Sequence, residues 1–275
     1  MQPVTAESVL FITLDSCRHD SFAAATLPAL RAIAPLHRAQ SPCHFTYGAH
    51  AAMFVGFTPG IPGLDTPVLN PKAGRLFRLR GGGGPGRHEA AFILDGETII
   101  DGFRQAGYRT IGAGAVGWFD PATPPGQRLT AHFDDYIFTG PVDLADQCAF
   151  VTAKLDAVTG DAFTFINIGE THVPYWYRGA PWHWQDNPCI PFQTIDRADE
   201  CRTRQIACLE YADRLLAPLI ERFMGATILI CGDHGDAWGE DGLWEHGFSH
   251  WTTLTVPLLA RVRGVPVTPA DDPGR

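Results

Sequence analysis

A chain of 275 residues, 45% of them hydrophobic, can bury a substantial core as one large α/β domain or two small ones. Its 30 acids against 21 bases give a formal charge of -9, which argues against a surface that grips nucleic-acid phosphates. No run approaches the roughly 20 apolar residues that cross a bilayer. The opening residues lack a basic, apolar and small-residue leader pattern, and the seven cysteines follow no pairing motif, so the chain is expected to be cytoplasmic with reduced thiols.

Ser8 to Leu14, SVLFITL, predicts a buried strand ending at Asp15. A helix-like segment covers Leu27 to Ile33. Thr46 lies just ahead of AHAAMFVGF, whose small and apolar residues suit a tightly packed helix closed by Gly56. The low-complexity stretch RLRGGGGPGR reads as a mobile loop, either a tolerated insertion or a lid. Glu97 to Ala106 predicts a helix, Tyr108 to Gly112 a strand, and Asp143 to Val158 an amphipathic helix. Phe163 to Ile168 is a second buried strand, ending at Gly169-Glu170-Thr171-His172. The span 175–192, rich in Trp, Pro and Tyr, reads as an ordered covering loop. Ala198 to Phe223 is the longest helical pattern. Thr227 to Cys231 is a third apolar strand, ending at Gly232-Asp233-His234-Gly235, and Val256 to Val262 is a fourth. A single domain is expected over 1–267, with a frayed tail at 268–275.

Strands alternating with helices predict a mostly parallel sheet covered by helices on both faces. Three of the strands end in polar clusters: Asp15, Glu170 with His172, and Asp233 with His234. Ligands of open α/β sheets lie at the carboxyl ends of the strands, so these clusters are expected to converge. Asp15, Asp233 and His234 are the donor types of a Zn²⁺ or Mn²⁺ site, although each carboxylate also suits a simple cap.

The segments VLFITLDSCRHDSF, CHFTYGAHAAMFVG, TIIDGFRQAGYRTIGAG, ETHVPY, ICGDHGDAWGEDGLWEHG and TVPLLAR resemble, in order, the motifs of the alkaline phosphatase/sulfatase superfamily. The resemblance implies an alkaline-phosphatase-like three-layer sandwich, with Asp15 as the first metal ligand. It places Thr46 on the nucleophile, His50 on an arginine and Gly56 on a glycine of that motif. The D-H-G block is similar to that of phosphoethanolamine transferases, whose second histidine falls on His246 and which carry another on the segment of His172. Sulfatases need Cys or Ser where Thr46 stands. Their sulfate-binding lysine and histidine fall on Ala115 and Gly117, and Ser16 replaces an aspartate. These departures point away from sulfate esters. What the resemblance implies is a metal-dependent hydrolase of small phosphate esters, working through a phospho-threonine with one or two divalent ions, Zn or Mn. A soluble phospho-group transferase and a non-catalytic metal-binding relative are the alternatives. Neither nucleic acid nor membrane is expected as a partner.

A threonine hydroxyl is a weak nucleophile and needs a base or a metal, and the helix after Thr46 adds partial positive charge. His172 and His246 serve either as ligands of a second ion, with Glu170 beside them, or as donors to the phosphoryl oxygens and leaving group. His250, four residues after His246, joins them as a ligand or substrate contact if that stretch is helical, which Gly247 opposes. His50 is either a packing residue or a functional one. Arg18 and Asp20 read as a structural ion pair, Cys43 as structural. The aromatic loop (Tyr175, Trp176, Tyr177, Trp182, Trp184) is either a hydrophobic flap or a stacking surface for an aromatic or sugar group.

Overall fold

The computed structural model describes residues 2–56 and 96–268, together with the backbone of the strand pair β3 (Phe77–Arg80) and β4 (Ala91–Leu94). Gly81 to Arg87 of the glycine-rich stretch and the tail beyond Thr268 lie outside the described residues.

The first strand, β1 (Val9–Leu14), is apolar on both faces except for Thr13, and this composition places it at the centre. Leu10, Ile12 and Leu14 enter one core cluster, while Val9 and Phe11 pack against another on the opposite face. Parallel neighbours flank it: β7 (Ala162–Ile168), with all seven residues buried, and β8 (Thr227–Gly232). Beyond β7 the sheet continues in parallel through β5 (Arg109–Gly114) and β6 (Asp135–Phe138). Beyond β8 it turns antiparallel with β11 (Thr255–Val262), which also pairs with β2 (His37–Gln40) and β12 (Val265–Pro266). The predicted fourth strand therefore runs antiparallel to all three of its neighbours, whereas the pairings from β8 through β6 are parallel.

Helices cover both faces. On one lie α1 (His19–Ala24), α2 (Pro28–Arg31), α6 (Leu144–Asp156) and α7 (Ala198–Phe223), whose Leu144, Val151, Leu209 and Leu216 share a core with Ile12 and Ile166. On the other lie α3 (Thr46–Val55), α4 (Ile99–Gln105) and α5 (Pro124–Thr130), joined by Phe54, Ile100 and Leu129 to Phe163 and Phe165. This is the three-layer α/β arrangement that the motif resemblance implies. The short strands β2, β6, β12 and the hairpin of β9 (Ala237–Trp238) and β10 (Trp244–Glu245) were not predicted. Two to four residues are too few to show a period of two, and His37 to Gln40 is largely polar.

The pairing register matters most for function. Leu14 pairs with Ile168 on one side and with Gly232 on the other, so three adjacent strands end level. The residues that follow, Asp15, Gly169 and Asp233, emerge side by side.

Because Ile12 is fully buried at the middle of β1, Ile12→Ala should cost about 2–5 kcal/mol. Urea unfolding should show a lower midpoint with an unchanged slope.

Candidate active site

The turn after β1 is the first piece of the site. The Asp15 N–H donates to the Ile168 carbonyl at 3.0 Å, tying β1 to the end of β7. Ser16 adopts the left-handed region, φ 57°, and its N–H donates to Asp233 Oδ1 at 3.0 Å. The His234 N–H gives that oxygen a second bond at 2.8 Å. Thr46 is the first residue of α3 and, like Asp15, Asp233 and His234, is almost completely buried. Its Oγ1 lies 3.4 and 3.5 Å from the two Asp15 oxygens and 3.2 Å from His234 Nε2. No side chain caps the start of α3, so its free amides and the positive end of the helix dipole face the same place.

Three observations test this cluster as a cation site. His234 Nδ1–H donates to the Gly235 carbonyl at 3.0 Å, which leaves Nε2 as a lone pair. Asp233 Oδ2 is buried with no hydrogen-bond partner, a costly arrangement unless something positive lies against it. Burial and the facing Asp15 carboxylate push the Asp233 pKa well up, a repulsion that a cation relieves. Ligand atoms of Asp15, Asp233 and His234 lie within 4.8 Å of one another. Two carboxylates and one imidazole beside a hydroxyl fit a divalent ion of the Zn²⁺ type.

A second group, His234, Asp236 and His246, adjoins the first through His234. His246 Nδ1–H donates to Asp236 Oδ1 at 2.7 Å, Tyr175 Oη donates to Oδ2 at 2.7 Å, and Trp238 Nε1 donates to Tyr175 Oη at 2.8 Å. Burial pulls the His246 pKa down, but the buried Asp236 carboxylate outweighs it and holds the ring at about 9. The His172 ring stands 5.2 Å from that of His246, with Nδ1 donating to the Val173 carbonyl at 2.8 Å. Both histidines are thus held by Nδ1.

By sequence alone, no protein-family model and no curated protein matches the chain. Solved structures do. The C-terminal periplasmic domain of phosphoethanolamine transferase EptC from Campylobacter jejuni superposes with a TM-score of 0.62 at 12% identity, covering 95% of this chain and 83% of that one. The periplasmic domain of EcEptC from Escherichia coli, in complex with Zn, gives 0.58 at 12% identity over 96% and 74%. The phosphonate monoester hydrolase of Agrobacterium radiobacter gives 0.56 at 13% identity over 94% and 68%. A Vibrio parahaemolyticus protein in the alkaline phosphatase superfamily gives 0.56 at 13% identity over 96% and 63%. The fold is that of the alkaline phosphatase superfamily.

On this superfamily fold the residues expected from the motifs separate into two sets. Asp15, Thr46, Asp233, His234, His172 and His246 come together. His250 does not: it begins α8 (Trp251–Leu254), with Nδ1 on Thr252 Oγ1 at 2.7 Å and Nε2 on Asp241 Oδ2 at 3.0 Å. The Gly247 turn, φ 99°, breaks the helix that would have aligned it with His246. Glu170 turns away to accept from the Leu144 N–H at 2.9 Å at the start of α6, where burial pushes its pKa up to about 7. His50 is a packing residue. Its Nδ1 donates to the Thr46 carbonyl at 2.8 Å, its Nε2 accepts from Thr13 Oγ1 at 2.8 Å, and burial lowers its pKa to about 4. Arg18 and Asp20 form the expected ion pair at 2.8 Å, with Arg18 over the Trp238 ring. In the aromatic loop Tyr175 is fully buried and Trp182 Nε1 donates back to the Tyr175 carbonyl at 2.9 Å, while Trp184 is 39% exposed.

Asp236 and Tyr175 were missed as site residues. The signal for Asp236 was an acid two places after His234, inside the D-H-G-D run itself.

The cytoplasmic expectation is corrected by the superfamily matches, because the Campylobacter jejuni and Escherichia coli structures are periplasmic domains. The unpaired thiols that prompted it carry no such information. Cys17, Cys189, Cys201 and Cys208 are buried, and a folded core shields them in any compartment. Among the described residues no helix is long and apolar enough to cross a membrane.

In the metal-free protein, His246 should titrate near pH 9 by NMR, and Asp236→Asn should lower that value. Since the folded pKa is raised, the stability it contributes is full below pH 6.5 and lost as pH rises through about 9. A His246 resonance unmoved by Asp236→Asn would contradict this origin of the shift.

Proposed function

We propose that the protein is a metal-dependent hydrolase of phosphate esters that works through a phospho-threonine on Thr46. The observation that carries the reading is the Thr46 hydroxyl, buried at an open helix N-terminus and within 3.5 Å of both Asp15 and His234. Asp15, Asp233 and His234 are the residues that hold a divalent ion, Zn or Mn, which when bound polarises the phosphoryl group and eases loss of the hydroxyl proton.

The chain's own groups account for the rest. The α3 amides face the phosphoryl oxygens and stabilise the charge that develops there. Thr46 Oγ1 gives up its proton to solvent and forms the new bond to phosphorus as the ester oxygen departs. His246, charged and aimed by Asp236, gives its Nε2 proton to that oxygen. His172 stands beside His246, its Nδ1–H held by the Val173 carbonyl. In the second half, neutral His246 takes a proton from water as the water attacks phosphorus and releases Thr46, whose oxygen regains its proton from solvent. The buried Tyr175 flap closes over Asp236 and keeps bulk water from the pair.

A second reading replaces water with another hydroxyl, making the protein a phospho-group transferase. It is favoured by the likeness to phosphoethanolamine transferase EptC, and the two differ only in the acceptor. Aryl sulfates should be poor substrates for either, since Ala115 and Gly117 offer no cation to a sulfate.

Thr46→Ala should lower kcat/KM on bis-p-nitrophenyl phosphate by several orders of magnitude, far beyond the roughly tenfold of a 1.4 kcal/mol misplacement. Thr46→Ser should keep part of the rate. Quenching with labelled substrate should place phosphate on the Thr46 peptide. Retention of more than about a tenth of the rate by Thr46→Ala would rule out covalent attack.

A chelator should abolish turnover, and Asp233→Asn should weaken metal uptake without unfolding the chain. Turnover of p-nitrophenyl sulfate comparable to that of the phosphates would overturn the assignment of substrate class.

A further inference from the structure

Thr46 lies between two aromatic residues in the chain, Phe45 and Tyr47, and a third reaches them from the end of β5. The Trp118 ring centroid is 6.1 Å from that of Phe45 and 5.6 Å from that of Tyr47. Its neighbour Phe119 anchors the turn, packing 4.8 Å from His50, which in turn holds the Thr46 carbonyl. Phe119 is fully buried while Trp118 is 41% exposed, so the turn faces one ring inward and the other out, against the two residues that flank Thr46 in the chain. Gly48 makes room for the arrangement, because a Cβ there would approach the Phe45 ring to 2.9 Å. None of the three rings takes part in the ion site or the proton chemistry.

An exposed tryptophan braced by two other rings at a buried reactive group is more than a leftover apolar contact. We propose that Phe45, Tyr47 and Trp118 form a wall on which a planar aromatic substituent of the phosphate ester stacks. The inference rests on Thr46 being the attacking group. Ring faces select a flat π system through dispersion and quadrupole contacts. A sugar would need hydrogen-bonding partners around its hydroxyls, and an alkyl chain would need an enclosed channel. The wall offers only the Tyr47 hydroxyl and the Trp118 N–H as polar side-chain atoms, too few for a sugar's several hydroxyls, and three tilted rings form no enclosing channel.

Isothermal calorimetry on the zinc-loaded protein tests the wall with phenylphosphonate, cyclohexylphosphonate and methylphosphonate. The phenyl compound should bind about tenfold more tightly than the methyl one, a factor typical of one stacked ring, and more tightly than the cyclohexyl one. Trp118→Ala should remove most of that preference and leave methylphosphonate affinity unchanged. Equal binding of phenyl and methyl compounds, or of phenyl and cyclohexyl compounds, overturns the wall while leaving the phosphoryl site intact. So does a phenyl preference that survives both Trp118→Ala and Phe45→Leu. If none of the three phosphonates binds, the phosphoryl site itself is misassigned and the wall falls with it.

Discussion

Everything at the site depends on three parallel strands ending at the same height. Parallel pairing sets β1 between β7 and β8, and the register brings Leu14 level with both Ile168 and Gly232. A shift of one residue in either pairing would turn Asp15 or Asp233 to the opposite face of the sheet. The apolar run of β1 resists such a slip, since its even residues fill one core and its odd apolar residues the other. The hydrophobic pattern thus does more than hold the layers together. It gives two carboxylates from opposite ends of the chain a common address.

That address is expensive. Asp15, Asp233 and Asp236 are all fully buried, and buried charge is tolerated only when paired or bonded. Part of the cost is met by the Ser16 and His234 backbone amides on Asp233 and by the Asn167 side-chain amide, which donates to Asp15 at 3.3 Å. Tyr175 and His246 meet the cost at Asp236. Asp233 Oδ2 is left over, and its lack of a partner is what a cation would answer. Close approach matters as well. A Cβ at Gly235 would collide with the Thr252 carbonyl, so the D-H-G turn needs its glycine to sit against α8.

Legibility in the sequence followed the strength of local pattern. The buried strands and the Ala198–Phe223 helix carry long runs of one period, and the residues at their ends were readable for that reason. Asp15, Asp233 and His234 were visible because each directly follows an apolar strand. Asp236 was not, because an acid in a glycine-rich turn looks like a capping residue until its two partners, ten residues later and 61 residues earlier, are placed. His250 erred the other way. Spacing of four from His246 has meaning only on a helix, and Gly247 starts a new turn there. Glu170 shows the same limit. One residue after Gly169 the chain has already turned, so adjacency to His172 in sequence does not carry over to the site. The contact of Trp118 with Phe45 and Tyr47 was hidden because it arises only through the fold, with no motif joining them.

His234 and His246 differ in charge although their ring centroids are only 4.5 Å apart. Burial and the nearness of His246 hold His234 down at about 4, whereas Asp236 outweighs burial and keeps His246 at about 9. Two like residues pushed in opposite directions by their surroundings take different tasks. The neutral ring, its Nδ1 bonded to the Gly235 carbonyl, offers a lone pair beside Thr46. The charged ring carries a proton and an acidic partner that steadies it. Both states depend on the tight turn after β8, which puts His234 on the strand side and Asp236 two residues later against the flap. A single turn thereby holds the two rings in different charge states, and the Tyr175 hydroxyl, by bonding Asp236, steadies the partner of the charged one.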